Sequence, residues 1–223
     1  MALPQKDRRA FFLLYLLASV YAVILYLDFS SANPWAANLF KYAGVCVCFV
    51  IAVFTFRRAH SRESAEFLIL GLFFTLVSDA FLLFSSFREL GIAAFMCVHL
   101  CYIKRYGSPA FQTLLIIAVS DMLLCLAGVF FALNLPYAFM LSGVYMLLIA
   151  AATISAFRSN LPQINKRLAC IGMVLFLMCD TNVTIIRLAP ADSVVALAVF
   201  PLIYLFYIPA QACLALSVGE YEA

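Results

Sequence analysis

The sequence predicts an all-α fold, a polytopic membrane bundle of eight transmembrane helices with both termini cytoplasmic. Three observations carry that expectation. Hydrophobic residues make up 67% of the chain and charged residues 11%, against about 45 to 50% and about 25% in soluble domains. Apolar stretches of spanning length recur along the chain, bounded by charges, Pro, Asn or Gly. Lys and Arg alternate between abundant and scarce in successive connections. A bilayer core of about 30 Å takes roughly 20 apolar residues per helix, so 223 residues are consumed by the spans. The expectation is a single transmembrane domain over residues 1–223.

The elements follow in order. The first span runs from about Ala10 to Leu27, the second from Trp35 to Phe56 and the third from Ala65 to Ser86. The fourth covers Glu89 to Tyr106; it is short and carries His99. The fifth runs from Pro109 to Leu133, the sixth from Pro136 to Phe157, the seventh from Leu168 to Leu188 and the eighth from Ser193 to Val218. The N-terminus has Lys6, Arg8 and Arg9 before its apolar stretch, and Ser30-Ser31-Ala32 faintly mimics a cleavage site. That stretch exceeds the 7 to 15 residues of a signal-peptide core and is read as a retained first span.

The basic residues set the orientation. Lys6, Arg8 and Arg9, then Arg57, Arg58 and Arg62, then Lys104 and Arg105, then Arg158, Lys166 and Arg167 fall on one side of an eight-span topology. The other side holds Arg88 and Arg187. An excess of Lys and Arg marks the cytoplasmic face. The net charge of +3 therefore reports orientation and not affinity for nucleic acid. Eight cysteines sit within apolar segments, without CxxC pairs or zinc-like spacing, and read as small apolar fillers. Short loops without an appended domain suit a bacterial cytoplasmic membrane.

Within these spans a few side chains oppose insertion. Asp79 and Asp180 each follow a glycine at the same spacing, Gly71 and Gly172, inside apolar runs. An ionisable group at mid-membrane costs about 2.5 to 3.5 kcal/mol on insertion scales, which makes a functional site the default expectation. Lys41 lies inside the second span. With about 1.5 Å of rise per residue, Lys41, Asp79 and Asp180 each come out roughly 10 Å from the non-cytoplasmic end of their helices. Asp121, His99 and Tyr145 fall nearer the midplane.

Helical spacing puts Thr75, Ser78, Asp79 and Ser86 on one face of the third span, and Asp180, Thr184 and Arg187 on one face of the seventh. Both faces are expected to turn inward. Phe95, His99, Tyr102 and Tyr106 make a stripe on the fourth span, and Tyr204, Tyr207 and Gln211 another on the eighth, beside Pro209. The expected site is a polar cavity walled by aromatic rings. The plainer alternative is that these residues join helices by hydrogen bonds worth about 0.6 to 2 kcal/mol each. A metal site is not expected, since no HxxxH, HExxH or paired Glu helix is present and Lys41 shares the layer of the aspartates. No cofactor is expected either.

The ordered set of Lys41, Ser78-Asp79 with Phe81-Leu82-Leu83, Phe95-x-x-x-His99-x-x-Tyr102, Tyr145, Phe176-x-x-Cys179-Asp180 and Tyr207-x-x-Ala210-Gln211 resembles the YhhN-type lysoplasmalogenase family of integral membrane proteins. The family usually has Gly-Asp at the first motif and Ser-Asp at the second; this chain has Ser78-Asp79 and Cys179-Asp180. Both carboxylates are kept. The resemblance implies an eight-helix fold and a hydrolase that cleaves the vinyl-ether bond of lysoplasmalogens. The products are a fatty aldehyde and a glycerophospho-headgroup, and the partners are a lysophospholipid substrate and the bilayer.

Under that resemblance Asp79 and Asp180 are the catalytic acid/base pair, and Lys41 tunes one of them or meets the substrate phosphate. His99, Tyr102, Tyr145, Tyr207 and Gln211 are the further substrate-binding candidates. Two rival readings stay open: a small proton-coupled transporter that uses Asp79, Asp180 and Lys41 as a relay, and a non-catalytic lipid-binding membrane protein.

Overall fold

A computed structural model describes residues 8–30, 33–131, 137–188, 190 and 193–219. Lys6, the Ser31-Ala32 pair and the helix ends expected at Leu133 and Pro136 lie outside the described residues. Among those described, eight helices follow one another: α1 (Arg8–Ser30), α2 (Pro34–Phe56), α3 (Arg62–Phe84), α4 (Arg88–Arg105), α5 (Phe111–Phe130), α6 (Tyr137–Arg158), α7 (Gln163–Leu188) and α8 (Val194–Leu216). All but α4 are long and apolar enough to cross a membrane. The chain is thus an all-helical, polytopic membrane protein.

The helices form two compact units. One joins the residues up to Arg62 to those from Pro162 onward and carries α1, α2, α7 and α8; the other spans Glu63–Leu161 and carries α3 to α6.

In the first unit α8 packs against α7, α2 and α1. Pro209 inside α8 has no N–H, which frees the carbonyl one turn back. That carbonyl, Leu205 O, accepts a hydrogen bond from the Tyr21 hydroxyl of α1 at 2.9 Å. A helix break in an apolar slab is thereby satisfied by a neighbouring helix. At the start of α2, the Asn33 side chain accepts the Ala36 N–H at 3.1 Å, with Pro34 in the first turn.

In the second unit α4 packs against α5 and α6 and is hydrogen-bonded to α3. Twelve of its 18 residues are buried. A helix sheathed by protein has less need of lipid-compatible side chains, which explains why α4 is the least apolar of the eight. It ends on Gly107, whose φ of +67° permits the left-handed turn: Ser108 N–H reaches Ile103 O, and Gly107 N–H reaches Lys104 O. On α5, Ile116, Leu123, Leu126 and Val129 are exposed, as expected of side chains that meet lipid tails.

Most boundaries fall within three residues of expectation, with one larger shift. The seventh helix begins at Gln163 and not Leu168, because its polar first turn is anchored to protein. The Asn165 amide donates to the carbonyls of Ser217 and Gly219 at 2.9 and 2.7 Å. The first helix continues past Leu27 to Ser30 and so includes Asp28.

Candidate functional site

Asp79 and Asp180 are both buried, at 4% and 8% exposure. Asp79 lies five residues before the end of α3 at Phe84, Asp180 eight before the end of α7 at Leu188, and Lys41 seven after the start of α2 at Pro34. At about 1.5 Å per residue each is roughly 8 to 12 Å from its helix end.

The glycine that precedes each aspartate admits a close neighbour. A methyl group on Gly71 would meet the Tyr102 ring at 2.6 Å, and one on Gly172 would meet Leu214 at 2.8 Å and the Ala210 carbonyl at 3.1 Å. Each aspartate-bearing helix is therefore pressed against its partner two turns before the carboxylate, α3 on α4 and α7 on α8.

The second unit, which carries Asp79 on α3, also holds buried hydroxyls and a stripe of aromatic rings. Thr75 and Ser78 are fully buried. Thr75 Oγ1 donates to Gly71 O on its own helix at 3.1 Å, while Ser78 Oγ crosses to α4 and donates to Gly91 O at 2.6 Å. Ser86, expected on this face, lies beyond the end of α3 at Phe84 and is exposed; the helix stops before the spacing can bring it inward. The stripe on α4 forms as expected. His99 Nε2 and the Tyr145 hydroxyl of α6 are 3.4 Å apart, and their rings 5.2 Å. Tyr102 stands edge-on to His99 at 6.3 Å, Phe95 lies 6.0 Å from Tyr145, and Tyr106 follows Tyr102 at 6.4 Å. Asp121 is half-buried on α5.

In the first unit a chain of rings leads from Lys41 to the helix of Asp180. Lys41 Nζ sits 4.1 Å from the Tyr204 ring centroid and 5.5 Å from that of Phe200. Tyr204 packs edge-on against Tyr207 at 5.7 Å, and Tyr207 against Phe176 at 5.6 Å. Phe176 is one helical turn before Asp180. Gln211, one turn beyond Tyr207, is fully buried, and neither polar atom of its side chain has a hydrogen-bond partner among the described residues. The expected inward face of α7 holds for Asp180 but fades toward its end. Thr184 is half-buried and returns its hydroxyl to Asp180 O at 2.9 Å. Arg187 is exposed in the last turn, where a cation gains from water and from the negative end of the helix dipole.

The profile of the YhhN family matches residues 36–218. The chain belongs to the YhhN family. No curated protein and no solved structure matches it. Lys41, Asp79, His99, Tyr102, Tyr145, Asp180, Tyr207 and Gln211 all lie within the YhhN segment. Lys41 has a partner that lies before that segment.

Lys41 Nζ and Asp28 Oδ1 are 2.7 Å apart, with side-chain exposures of 5% and 2%. Sequence reading expects Lys41 to act on one of the two aspartates or on a phosphate, and passes over Asp28. A charged residue just beyond Leu27 is an ordinary helix-stop signal. What pointed to it is Lys41 itself, since a lysine inside a span calls for a counter-ion within reach.

Proposed function

We propose that this protein is a lysoplasmalogenase-like hydrolase, which cleaves the vinyl-ether bond of a lysoplasmalogen to a fatty aldehyde and a glycerophospho-headgroup. The observation that carries the reading is the burial of two carboxylates, Asp79 and Asp180, within apolar helices of a YhhN-family chain. A buried carboxyl group favours its protonated form and a nearby cation favours the ionised one, so two carboxylates can divide acid and base duties by environment.

The chemistry needs that division. A proton delivered to the β-carbon of the vinyl ether leaves an oxocarbenium ion at the α-carbon. Water adds there, giving up a proton, and the hemiacetal collapses to aldehyde and alcohol. One aspartate supplies the first proton. The other, ionised, stabilises the cation and takes the proton from water, as carboxylate pairs do in glycoside hydrolysis. General acid and base steps contribute about 10² to 10⁴-fold each.

The remaining polar groups bind and orient. The substrate-binding candidates are the His99–Tyr145 pair and Tyr102 in the second unit, and Tyr207 with the buried amide of Gln211 in the first. Lys41 is assigned to the headgroup phosphate. Aldehyde release from a lysoplasmalogen by the purified protein tests the reading directly.

A further inference from the structure

The Asp28–Lys41 pair borders a cleft of about 150 Å³, lined also by Pro34, Asn38 and Phe200. At about 30 Å³ per water in the liquid, this space exceeds what one or two waters fill. Only one oxygen of Asp28 is used. Oδ1 meets Lys41, whereas Oδ2 is buried with no hydrogen-bond partner among the described residues. A buried carboxylate oxygen without a donor is unfavourable, and here the unsatisfied group stands at the wall of a space that can hold a donor.

We propose that this cleft binds a zwitterionic phosphoethanolamine group, with the ammonium on Asp28 Oδ2 and the phosphate on Lys41 Nζ. Charge decides the class. The pair is neutral as a whole, so a net anion or net cation would enter a desolvated site uncompensated. A zwitterion laid antiparallel to the ion pair matches both charges. Lys41 has three N–H donors, of which Asp28 Oδ1 takes one.

The nature of the ammonium is decided by hydrogen bonding. Oδ2 needs an N–H, which a primary ammonium supplies and the trimethylammonium of choline does not. Choline is usually held by aromatic faces, but the rings of Tyr204 and Phe200 are already turned to Lys41 Nζ. Position agrees with a headgroup. Asp28 is two residues from the end of α1, and Trp35, exposed at the start of α2, is the side chain that favours a membrane interface.

The source of the group is either the lysophospholipid substrate or a diacyl phosphatidylethanolamine of the bilayer; the first source rests on the function proposed above, the second does not. The test uses full-length protein in phosphatidylcholine nanodiscs and saturated 1-acyl lysolipids that lack the vinyl ether. Binding is measured across the headgroup series ethanolamine, N-methyl, N,N-dimethyl and choline. Affinity is expected to fall stepwise, with at least about a tenfold loss at the choline end, where the last charge-assisted donor is gone. Equal affinity across the series overturns the proposal.

Competition separates the sources: full displacement by diacyl phosphatidylethanolamine assigns the cleft to a bilayer lipid, and its failure to displace assigns it to the single-chain substrate. Asp28→Asn alone strands the charge of Lys41, so the variant of choice combines Asp28→Asn with Lys41→Met. It is expected to bind the four headgroups equally. A retained ethanolamine preference in that variant also overturns the proposal. Because no ligand in the series is hydrolysable at a vinyl ether, the outcome is independent of whether aldehyde is ever released.

Discussion

Ser78, the residue before Asp79, donates its hydroxyl to the Gly91 carbonyl across 2.6 Å and so joins the turn that carries the carboxylate to the first turns of α4. The bond is wholly buried on the Ser78 side. Ser78→Ala is expected to cost about 1 kcal/mol, within the range of interhelical hydrogen bonds in membranes. Under the proposed function it should also lower kcat by less than removal of the Asp79 carboxylate does. Thermal unfolding in detergent and steady-state kinetics check the two effects separately.

Gly71 faces the ring of Tyr102 at a distance that leaves no space for a methyl group. Tyr102 is itself fully buried and flanked by His99 and Tyr106, so the ring has little freedom to withdraw. Gly71→Ala is expected to destabilise by about 1 to 3 kcal/mol. Gly143, which has open space where its Cβ would be, serves as the control: Gly143→Ala should be neutral or stabilising by up to about 1 kcal/mol. Comparing their midpoints of thermal unfolding decides the matter.

The ion pair of Lys41 and Asp28 should show a strong asymmetry between single and double substitution. Asp28→Asn or Lys41→Met leaves one buried charge without its partner, at a cost of about 3 to 5 kcal/mol. Removal of both is expected to cost much less. A double variant whose cost equals the sum of the two single costs would show that the charges are not coupled.

Asn165 closes the end of α8. Its amide donates to both Ser217 O and Gly219 O, carbonyls that lie beyond the last turn and have no place in a helical ladder. Asn165→Ala is expected to cost about 1 to 3 kcal/mol. Amide hydrogen exchange should speed up first in residues 213–219.

Seven of the eight helices were legible because each is announced by an apolar run of spanning length, which has few other uses; α4 is announced by a shorter run. Asp79, Asp180 and Lys41 were legible for the opposite reason, as charges inside such runs. Less visible was whatever lies at a boundary. Asp28 follows the last residue of an apolar run, where a charge ordinarily meets water, and nothing local says that the helix continues and that Lys41 draws the carboxylate inward. The early start of α7 is hidden in the same way, since its first turn, Gln163 to Arg167, is polar and is held by contacts to residues about 50 positions away. Spacing also overreaches: it grouped Ser86 with Asp79 and Arg187 with Asp180, although the first lies past the helix end and the second is exposed. The stripe of His99, Tyr102 and Tyr106 fared better, because α4 is surrounded by protein and its aromatic face has neighbours to meet.

The central claim is that Asp79 and Asp180 carry out vinyl-ether hydrolysis. Its most direct test is aldehyde release from a 1-alkenyl lysophospholipid by the purified protein, with Asp79→Asn and Asp180→Asn measured beside it. The expected result is turnover by the unaltered chain and a fall of about 10² to 10⁴-fold in kcat for each variant, the size of a lost acid or base step. Turnover that is unchanged in both variants, or no aldehyde from the unaltered chain, contradicts the account.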